Sequence, residues 1–585
     1  MKYRWALRPV ENPDAVARLQ RELNNLPEAL ARALVLRGIE TFEAARHFFR
    51  PSREDLHDPF LMQDMEAAAD RVATALTRGE RILVYGDYDV DGTTSTALLM
   101  HFLRSRGASA QFFIPNRFRD GYGLGPAGIE AAAGFGASLI IALDCGVTAV
   151  EEAAAIRARG MDLIICDHHT TKDRLPEAVA VLDPKRPDCP YPFKELCGCG
   201  VTFKLVQAVL ARLGEAPEAA LAYLDLVAVA TASDIVPVGG ENRILLSEGL
   251  ARLRTAPRPG LHALAEAAGL DLHTCSTSKI VFGLGPRINA AGRLSDAALA
   301  VELLLCEDPA RALEYAHRLD ALNQQRRSLD AETVREAAHM AERQLSARTR
   351  HTLVLHHPGW HLGVIGIVAS RIVERFYRPT IMLSTVDGLV KGSARSIEGV
   401  NVFEALTACA DLLATYGGHD YAAGLALEEA NLPAFRERFD EAVRAVVTPE
   451  MLLPTLALDA PLSLADIDAR FWAVLKQFAP FGPGNDTPVF HARDLAVAGH
   501  PRTVGADSTH LKFAVRQRTG GDGSHPVMPV IGFKLHRHLP TVERSLREGL
   551  PLELAFSIEE NRWNGRTTLQ LRARDLRLGE RPATD

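Results

Sequence analysis

From Arg81 to about Pro237, short apolar runs alternate with stretches of helical character. The runs Ile82–Tyr85, Gln111–Ile114, Ser138–Leu143, Asp162–Cys166 and Ala180–Leu182 read as strands. Ser95–Leu103, Ala127–Ala133 and Ala149–Ala158 between them read as helices. This βαβ rhythm predicts a parallel sheet covered on both faces, which leaves few topologies open. Asp87, Asp89, Asp91, Asp144 and Asp167 all fall just past strand ends. They would share one rim, where ligands of open α/β sheets gather.

The first of these strand ends reads Tyr85-Gly86-Asp87-Tyr88-Asp89-Val90-Asp91-Gly92-Thr93-Thr94-Ser95-Thr96. Three carboxylates at alternate positions are a costly cluster of like charge, which folding tolerates best with cations among them. A calcium EF-hand would need a bidentate Glu at its twelfth position, where this chain has Leu98. Asp167-His168-His169 adds nitrogen ligands of a kind that suits Mn²⁺ or Zn²⁺ better than Ca²⁺. Neighbouring side chains on an extended segment point opposite ways, so His168 is expected to bind metal and His169 to face the substrate. Asp144 follows an apolar run, and Asp234 ends a strongly apolar helix that could return to the rim. The motifs together point to a metal-dependent enzyme.

A chain of 585 residues is too long for one core and implies three or four domains. The N-terminus Met1-Lys2-Tyr3-Arg4-Trp5 lacks the apolar core of a signal peptide, and no apolar run reaches the roughly 18 residues of a membrane span. Eight cysteines without paired spacing fit reduced thiols in the cytoplasm. Cys189, Cys197 and Cys199 cluster, but a fourth ligand and the usual zinc spacing are missing. A net charge of −7 argues against a uniformly basic nucleic-acid binder, though not against a basic groove. Arg326, Arg327, Arg371, Arg375 and Arg378 are candidates for one. No Walker A sequence occurs, which argues against an ATP-driven motor. Gly123-x-Gly125-x-x-Gly128 contains Pro126 and follows no strand, so it is a weak dinucleotide signal.

Residues 307–349 read as a long polar helix with one apolar stripe, Val334, Ala338, Ala341 and Leu345, of the kind that bridges lobes. A second α/β unit follows: Thr352–Leu355, helix Gly363–Phe376, Thr380–Leu383, and a glycine-rich turn at Gly417-Gly418-His419 able to bring backbone N–H groups to a phosphate. From about Pro454, short strands such as Leu511–Val515, Val530–Phe533, Leu552–Phe556 and Thr567–Leu571 suggest a small OB-like barrel. Phe513, Phe533 and Phe556 are expected mainly in its core.

These residues, in this order, resemble the DHH phosphoesterase family: an Asp-x-Asp pair, an isolated Asp, Asp-His-His and a late Asp. Trp360-His361-x-Gly363 through Arg371, Gly392-Ser393-Ala394-Arg395-Ser396, and Gly417-Gly418-His419 with Ala422-Ala423-Gly424 resemble the family's DHHA1 substrate-binding domain. Gly285-Pro286-Arg287-Ile288-Asn289 through Leu294, and Pro480-Phe481-Gly482-x-Gly484-Asn485, narrow the likeness to its single-strand-specific 5′→3′ exonucleases. The likeness covers roughly residues 60–575.

The resemblance implies two α/β lobes, a parallel-sheet DHH domain and a DHHA1 domain, joined by a long helix and followed by an OB-like barrel. The expected divisions are an N-terminal helical segment over 1–60, the DHH domain over 61–240, a helical region and linker over 241–349, DHHA1 over 350–450 and the barrel over 451–585. The extra C-terminal domain of longer members is not expected. Two divalent cations, Mn²⁺ or Mg²⁺, are implied: Asp144 bridging, Asp89 on the first, Asp91, His168 and Asp234 on the second, Asp87 as a further ligand. Many DHH phosphatases have a His where this chain has Tyr85, so the first ion is expected to lean on Asp87 or water. Catalytic roles fall to His169, Asp144 and Asp167. Arg395, Ser396, Gly417, Gly418 and His419 are implied to hold the 5′ end of the strand, and Arg117 and Tyr122 to clamp its terminal nucleotides. Arg287, Asn289, Arg293 and Arg371 would contact phosphates. The implied partner is single-stranded DNA, with a single-stranded-DNA-binding protein and a helicase in repair and recombination, no membrane, and a monomeric state. Two other functions compete: a DHH phosphodiesterase of short oligonucleotides or cyclic dinucleotides, and a non-catalytic nucleic-acid scaffold.

Overall fold

The structure is a computed structural model that describes residues 2–347, 350–518, 526–563 and 565–579. Positions 348 and 349, the end of the expected linker helix, lie outside them. Two compact units emerge: 52–453, and a second built from 2–51 with 454–585. No helix among the described residues is long and apolar enough to cross a membrane.

In the first unit, five parallel strands form a sheet in the order Ser109–Phe113, Arg81–Gly86, Leu139–Leu143, Asp162–Cys166, Ala180–Leu182. The strands read as nearly unbroken apolar runs because helices cover both faces. Leu83, Ile140 and Ile165 face one apolar layer, and Val84, Ile141 and Ile164 the other. The parallel arrangement puts every strand's carboxyl end on one rim.

The helix Pro309–Ala347 joins two cores. Ala312, Ala316 and Leu319 pack into the catalytic lobe's core, while Ala337, Ala338 and Ala341 pack with Trp360, Ile365 and Val368 of the next lobe. That lobe has a mixed sheet in the order Thr415–His419, Ala422–Leu427, Leu389–Arg395, Thr380–Val386, Leu353–His356. Gly417-Gly418-His419, expected as a turn, instead ends its edge strand. Small residues here allow close strand pairing: a Cβ on Gly418, at φ 147°, would lie 2.4 Å from the Ala422 carbonyl oxygen.

In the second unit, Phe490–Val504, His510–Gln517, Met528–Gly532, Arg566–Leu578 and Leu552–Trp563 follow one another, and the last pairs back with the first. This closure gives the expected OB-like barrel. Phe513 and Phe556 are core residues, but Phe533 is exposed, lying edge-on to His510 and beneath Arg572. The strand Arg4–Leu7 runs parallel to Thr455–Leu458, and helices of the first fifty residues share the barrel's core. Asn485, in the glycine-rich motif, accepts from Arg37 Nε at 2.8 Å and donates to the Phe478 and Pro480 carbonyls. That motif braces the N-terminal helices.

Candidate metal centre

Asp89 caps the helix Val90–Ser105, its carboxylate accepting the Gly92 N–H at 3.1 Å, the kind of bond that makes Asp a favoured N-cap. Gly92 has no room for a side chain, since a Cβ would lie 2.4 Å from the Asp87 carbonyl oxygen. Asp91 points across to the helix Gly198–Arg212, whose Gly198 and Cys199 amides donate to it at 2.6 and 2.8 Å. Asp144 leaves its strand in a left-handed conformation, φ 60°, uncommon without glycine. A Cβ on Gly198 would sit 2.7 Å from the Cβ of Asp144. Asp234 ends the helix Leu224–Ser233 and precedes Ile235 at φ 62°. Backbone strain of this kind, in a β-branched residue, clusters at functional sites.

These elements converge on His168. Its Nε2 lies 3.2 Å from Asp144 Oδ1, 3.5 Å from Asp234 Oδ2 and 3.8 Å from Asp91 Oδ2. Burial pushes the imidazole pKa down to about 3, which leaves the ring neutral with a lone pair to give. The acids shift the other way. Burial first, then neighbouring carboxylates, push Asp91 up to about 7 and Asp234 to about 9, and hold Asp87 and Asp144 well above the usual range. Asp87 Oδ1, Asp144 Oδ1, His168 Nε2 and Asp234 Oδ2 are buried and make no hydrogen bond. Such orphaned groups call for another partner. Asp91, His168 and Asp234 form one ligand-sized group, Asp87, Asp89 and Asp144 another, and Asp144, His168 and His169 a third, each with donor atoms within 4.8 Å of one another. Oxygen donors with one or two imidazoles fit Mn²⁺ or Mg²⁺.

Tyr85 takes no part. Its ring packs where a Cβ on Gly128 would clash, and its hydroxyl donates to the Gly123 carbonyl at 2.7 Å. The cysteine cluster likewise holds no ligand group among the described residues; Cys199 serves Asp91 through its backbone amide, beside that of Gly198.

The two histidines do not point apart as expected. Their ring centroids are 4.6 Å apart. Asp167 Oδ1 accepts both His168 and His169 amides, and lies 2.7 Å from His169 Nδ1, so the chain curls around one carboxylate. Its Oδ2 accepts the Val147 amide. Asp167 is therefore a positioning residue. Burial is the largest influence and opposes its charge, but the His169 hydrogen bond and charge, the Val147 amide and His168 together outweigh it and hold its pKa below the usual value. Burial opposes the charge of His169 too, but Asp167, with the charges of Asp91 and Asp87, more than offsets it and raises the imidazole pKa.

Around this centre, Arg117 lies 4.2 Å over the Tyr88 ring, and exposed Tyr122 meets Tyr88 and His169 edge-on. Arg293 donates to the Gly363 carbonyl at 3.3 Å; burial, then Arg117 and Arg326, push its pKa down to about 10. Asn289 lies one turn earlier on the same helix. Arg287 departs from expectation: it is committed to Asp320 at 2.8 Å and to the Gly283 carbonyl, a bracing role. Arg371 pairs with Asp330 at 2.9 Å, Arg375 with Glu342, and Arg378 with the Tyr377 and Leu452 carbonyls.

In the second lobe, the register runs Arg395–Ala422–His419 in one row and Ser393–Gly424–Gly417 in the next. Paired residues share a face, so Arg395 and His419 flank a shelf where Gly417 and Gly424 leave open space. Arg395 donates to Ser393 Oγ and the Ala394 carbonyl rather than to a carboxylate. The Ser396 hydroxyl is taken by the Val400 carbonyl at 2.6 Å.

Sequence reading missed Gly198 and Cys199 as amide donors, since nothing local marks which helix start an acid will find. It also missed Asp183, fully buried with Oδ2 unpartnered. That residue directly follows the strand Ala180–Leu182, so its place past a strand end is the signal that marks it.

Fold and site together define a DHH-type phosphoesterase. The model of the DHH family, N-terminal domain, matches residues 81–231, the DHHA1 domain 349–445 and the RecJ OB domain 458–575. The chain is 39% identical to the single-stranded-DNA-specific exonuclease RecJ of Dickeya dadantii, over 94% of this chain and 96% of that protein. It is 38% identical to RecJ of Bacillus subtilis, over 99% of this chain and 71% of that protein. The crystal structure of Thermus thermophilus RecJ in complex with Mn²⁺ superposes with a TM-score of 0.82 at 32% identity, covering 99% of this chain and 80% of that one. The chain belongs to the RecJ family.

Proposed function

We propose that this protein is a single-stranded-DNA-specific 5′→3′ exonuclease that hydrolyses phosphodiester bonds with two divalent cations, Mn²⁺ or Mg²⁺, and releases 5′-mononucleotides. The observation that carries the reading is the convergence of buried, unpartnered donor atoms from Asp87, Asp144, His168 and Asp234 on one strand-end rim, in a chain whose relatives are named as single-stranded-DNA-specific exonucleases. Asp91, His168 and Asp234 would hold one cation, Asp87 and Asp89 the other, with Asp144 between them. When bound, the cations supply Lewis acidity for in-line displacement at phosphorus.

The chain's own groups do the rest. Asp167 fixes a proton at His169 Nδ1, which leaves Nε2 to face a phosphate oxygen or the leaving group. Tyr122 offers a ring for a terminal base, and Arg117 a charge held flat on Tyr88. Arg395 and His419, across the glycine shelf, would take the 5′ end. Within the same reading the protein acts as a cytoplasmic monomer in DNA repair and recombination, beside a single-stranded-DNA-binding protein and a helicase. Its eight cysteines, all free and all but one buried, fit a reducing compartment.

End-labelled strands test the proposal. A 5′ label is expected at once as mononucleotide, while a 3′ label survives in long products. The opposite order, or equal attack on blunt duplex, overturns it. Preference for a dinucleotide over a long strand would favour a short-oligonucleotide phosphodiesterase.

A further inference from the structure

The linker helix carries an acid that the metal chemistry does not use. Asp330 is buried midway along Pro309–Ala347, and neither carboxylate oxygen makes a well-formed hydrogen bond. Guanidinium groups surround it instead. Arg371 Nη2, from the helix Leu362–Phe376, lies 2.9 Å from Oδ2, and Arg326 Nη1, one turn earlier on the linker, 3.9 Å. Arg293, from the helix Gly285–Leu294, adds a third positive charge within electrostatic reach. Arg326 is held in place by the buried Asn323, whose Oδ1 accepts at 2.9 Å.

The charges do not balance. Arg293 also feels Arg117 and Arg395, and the metal-side acid Asp89. Arg117, Arg293, Arg326, Arg371 and Arg395 thus bear on one another, and among the described residues Asp330 is the one carboxylate paired with any of them by distance, through Arg326 and Arg371. A buried ion pair roughly repays its own desolvation, so stability gives Asp330 little reason to be there. Guanidinium groups short of anions are matched to phosphate, which they grip as they grip a carboxylate. Arg371, with 46% of its side chain exposed, is the member that solvent and ligand reach.

We propose that Asp330 is the resident counter-ion of a phosphate track. It holds Arg326 and Arg371 when no strand is present, and it competes with internucleotide phosphates for them when one arrives. The inference rests on the nucleic-acid reading above and deepens it: the ligand class is the phosphodiester backbone, read without regard to sequence. A carboxylate already seated among the arginines weakens the grip on each phosphate, which suits a strand that must advance after every cut.

The test is fluorescence anisotropy of a labelled oligothymidylate with the full-length protein in EDTA, across a salt series, beside thermal melts. Asp330→Asn is expected to bind about five- to tenfold tighter. Its dependence of log K on log salt should steepen by about 0.7, one more phosphate neutralised on a single strand. Asp330→Glu, which keeps the charge, should retain the wild-type slope. Weaker binding or an unchanged slope in Asp330→Asn overturns the inference, as does equal steepening in Asp330→Glu. Should Asp330→Asn fail to fold, Arg371→Gln decides: a slope shallower by about 0.7 supports the track, and an unchanged slope makes Arg371 a mere brace. A wild-type protein that binds no strand removes the functional reading itself, whereas normal wild-type binding with an indifferent Asp330→Asn removes this inference alone.

Discussion

Asp91 and Asp144 are both buried acids of the candidate metal centre, yet their removal should have opposite consequences for the metal-free fold. Asp144→Ala takes one buried acid out of a crowd of them and leaves its surroundings otherwise bonded. Asp91→Ala takes out a buried acid as well, but strips the Gly198 and Cys199 amides of acceptors at 2.6 and 2.8 Å. A buried donor left unsatisfied costs about 1–3 kcal/mol, so the two variants should differ by about 2–6 kcal/mol in the stability of this region. Hydrogen exchange of the helix Gly198–Arg212 in EDTA reads that difference locally, since each 1.4 kcal/mol is about tenfold in the opening equilibrium. Asp144→Ala is expected to be as protected as wild type or better, and Asp91→Ala at least about tenfold less. Mn²⁺ should stabilise the wild type and neither variant. Equal protection in the two variants would refute the dual role of Asp91, and near-normal turnover in Asp144→Ala would refute its place between the cations.

Arg395→Ala and His419→Ala should each weaken use of a 5′-phosphorylated strand while Mn²⁺ titration calorimetry stays unchanged; lost metal affinity would put them in the wrong site. Gly198→Ala should disrupt metal binding, because its Cβ would press on Asp144; wild-type Mn²⁺ affinity would contradict the close packing. The folded, metal-free chain keeps protons on Asp91, at about 7, and Asp234, at about 9, that an unfolded chain gives up near 3.8. The folded state thus binds more protons, so its stability should fall as pH rises toward 9, by about 1.4 kcal/mol per pH unit for each retained proton. Mn²⁺ must displace those protons, and calorimetry in two buffers should count their release; none released at pH 7 would sink the argument.

Much of the catalytic rim was legible because a parallel sheet converts sequence order into spatial order. Each acid just past an apolar run had to reach the same edge, whatever lay between. Asp234 was legible for the same reason, at the end of an apolar helix. What the chain's local pattern could not show was where side chains turn once the strand has ended. His168 and His169 alternate only on extended backbone, and Asp167's bonds curl that backbone. Gly417–His419 reads as a turn because glycine clusters usually mark one; the edge strand it ends has Ala422–Leu427 beside it, a pairing set only by register. Phe533 follows the alternation of a barrel strand but lies just beyond it, where alternation no longer decides exposure. Arg287 and Arg293 lie six apart on one helix, yet one pairs with Asp320 and the other donates to the Gly363 carbonyl, a distinction made entirely by tertiary partners.

The strand Arg4–Leu7 and the three helices after it complete a domain whose remaining strands are encoded about 400 residues later. On a ribosome moving at about 5–20 residues per second, the first fifty residues wait roughly 20–80 s for their partners. During that interval Leu19, Leu30 and Leu34, which end with no exposed surface, have nothing of their own unit to cover them. A chaperone that shields nascent apolar helices should therefore be met early and released only after Thr455–Leu458 has emerged. The intervening unit can meanwhile fold as one uninterrupted segment. Excising the barrel for separate study would require fusing 2–51 to 454–585, not simply cutting at the later boundary.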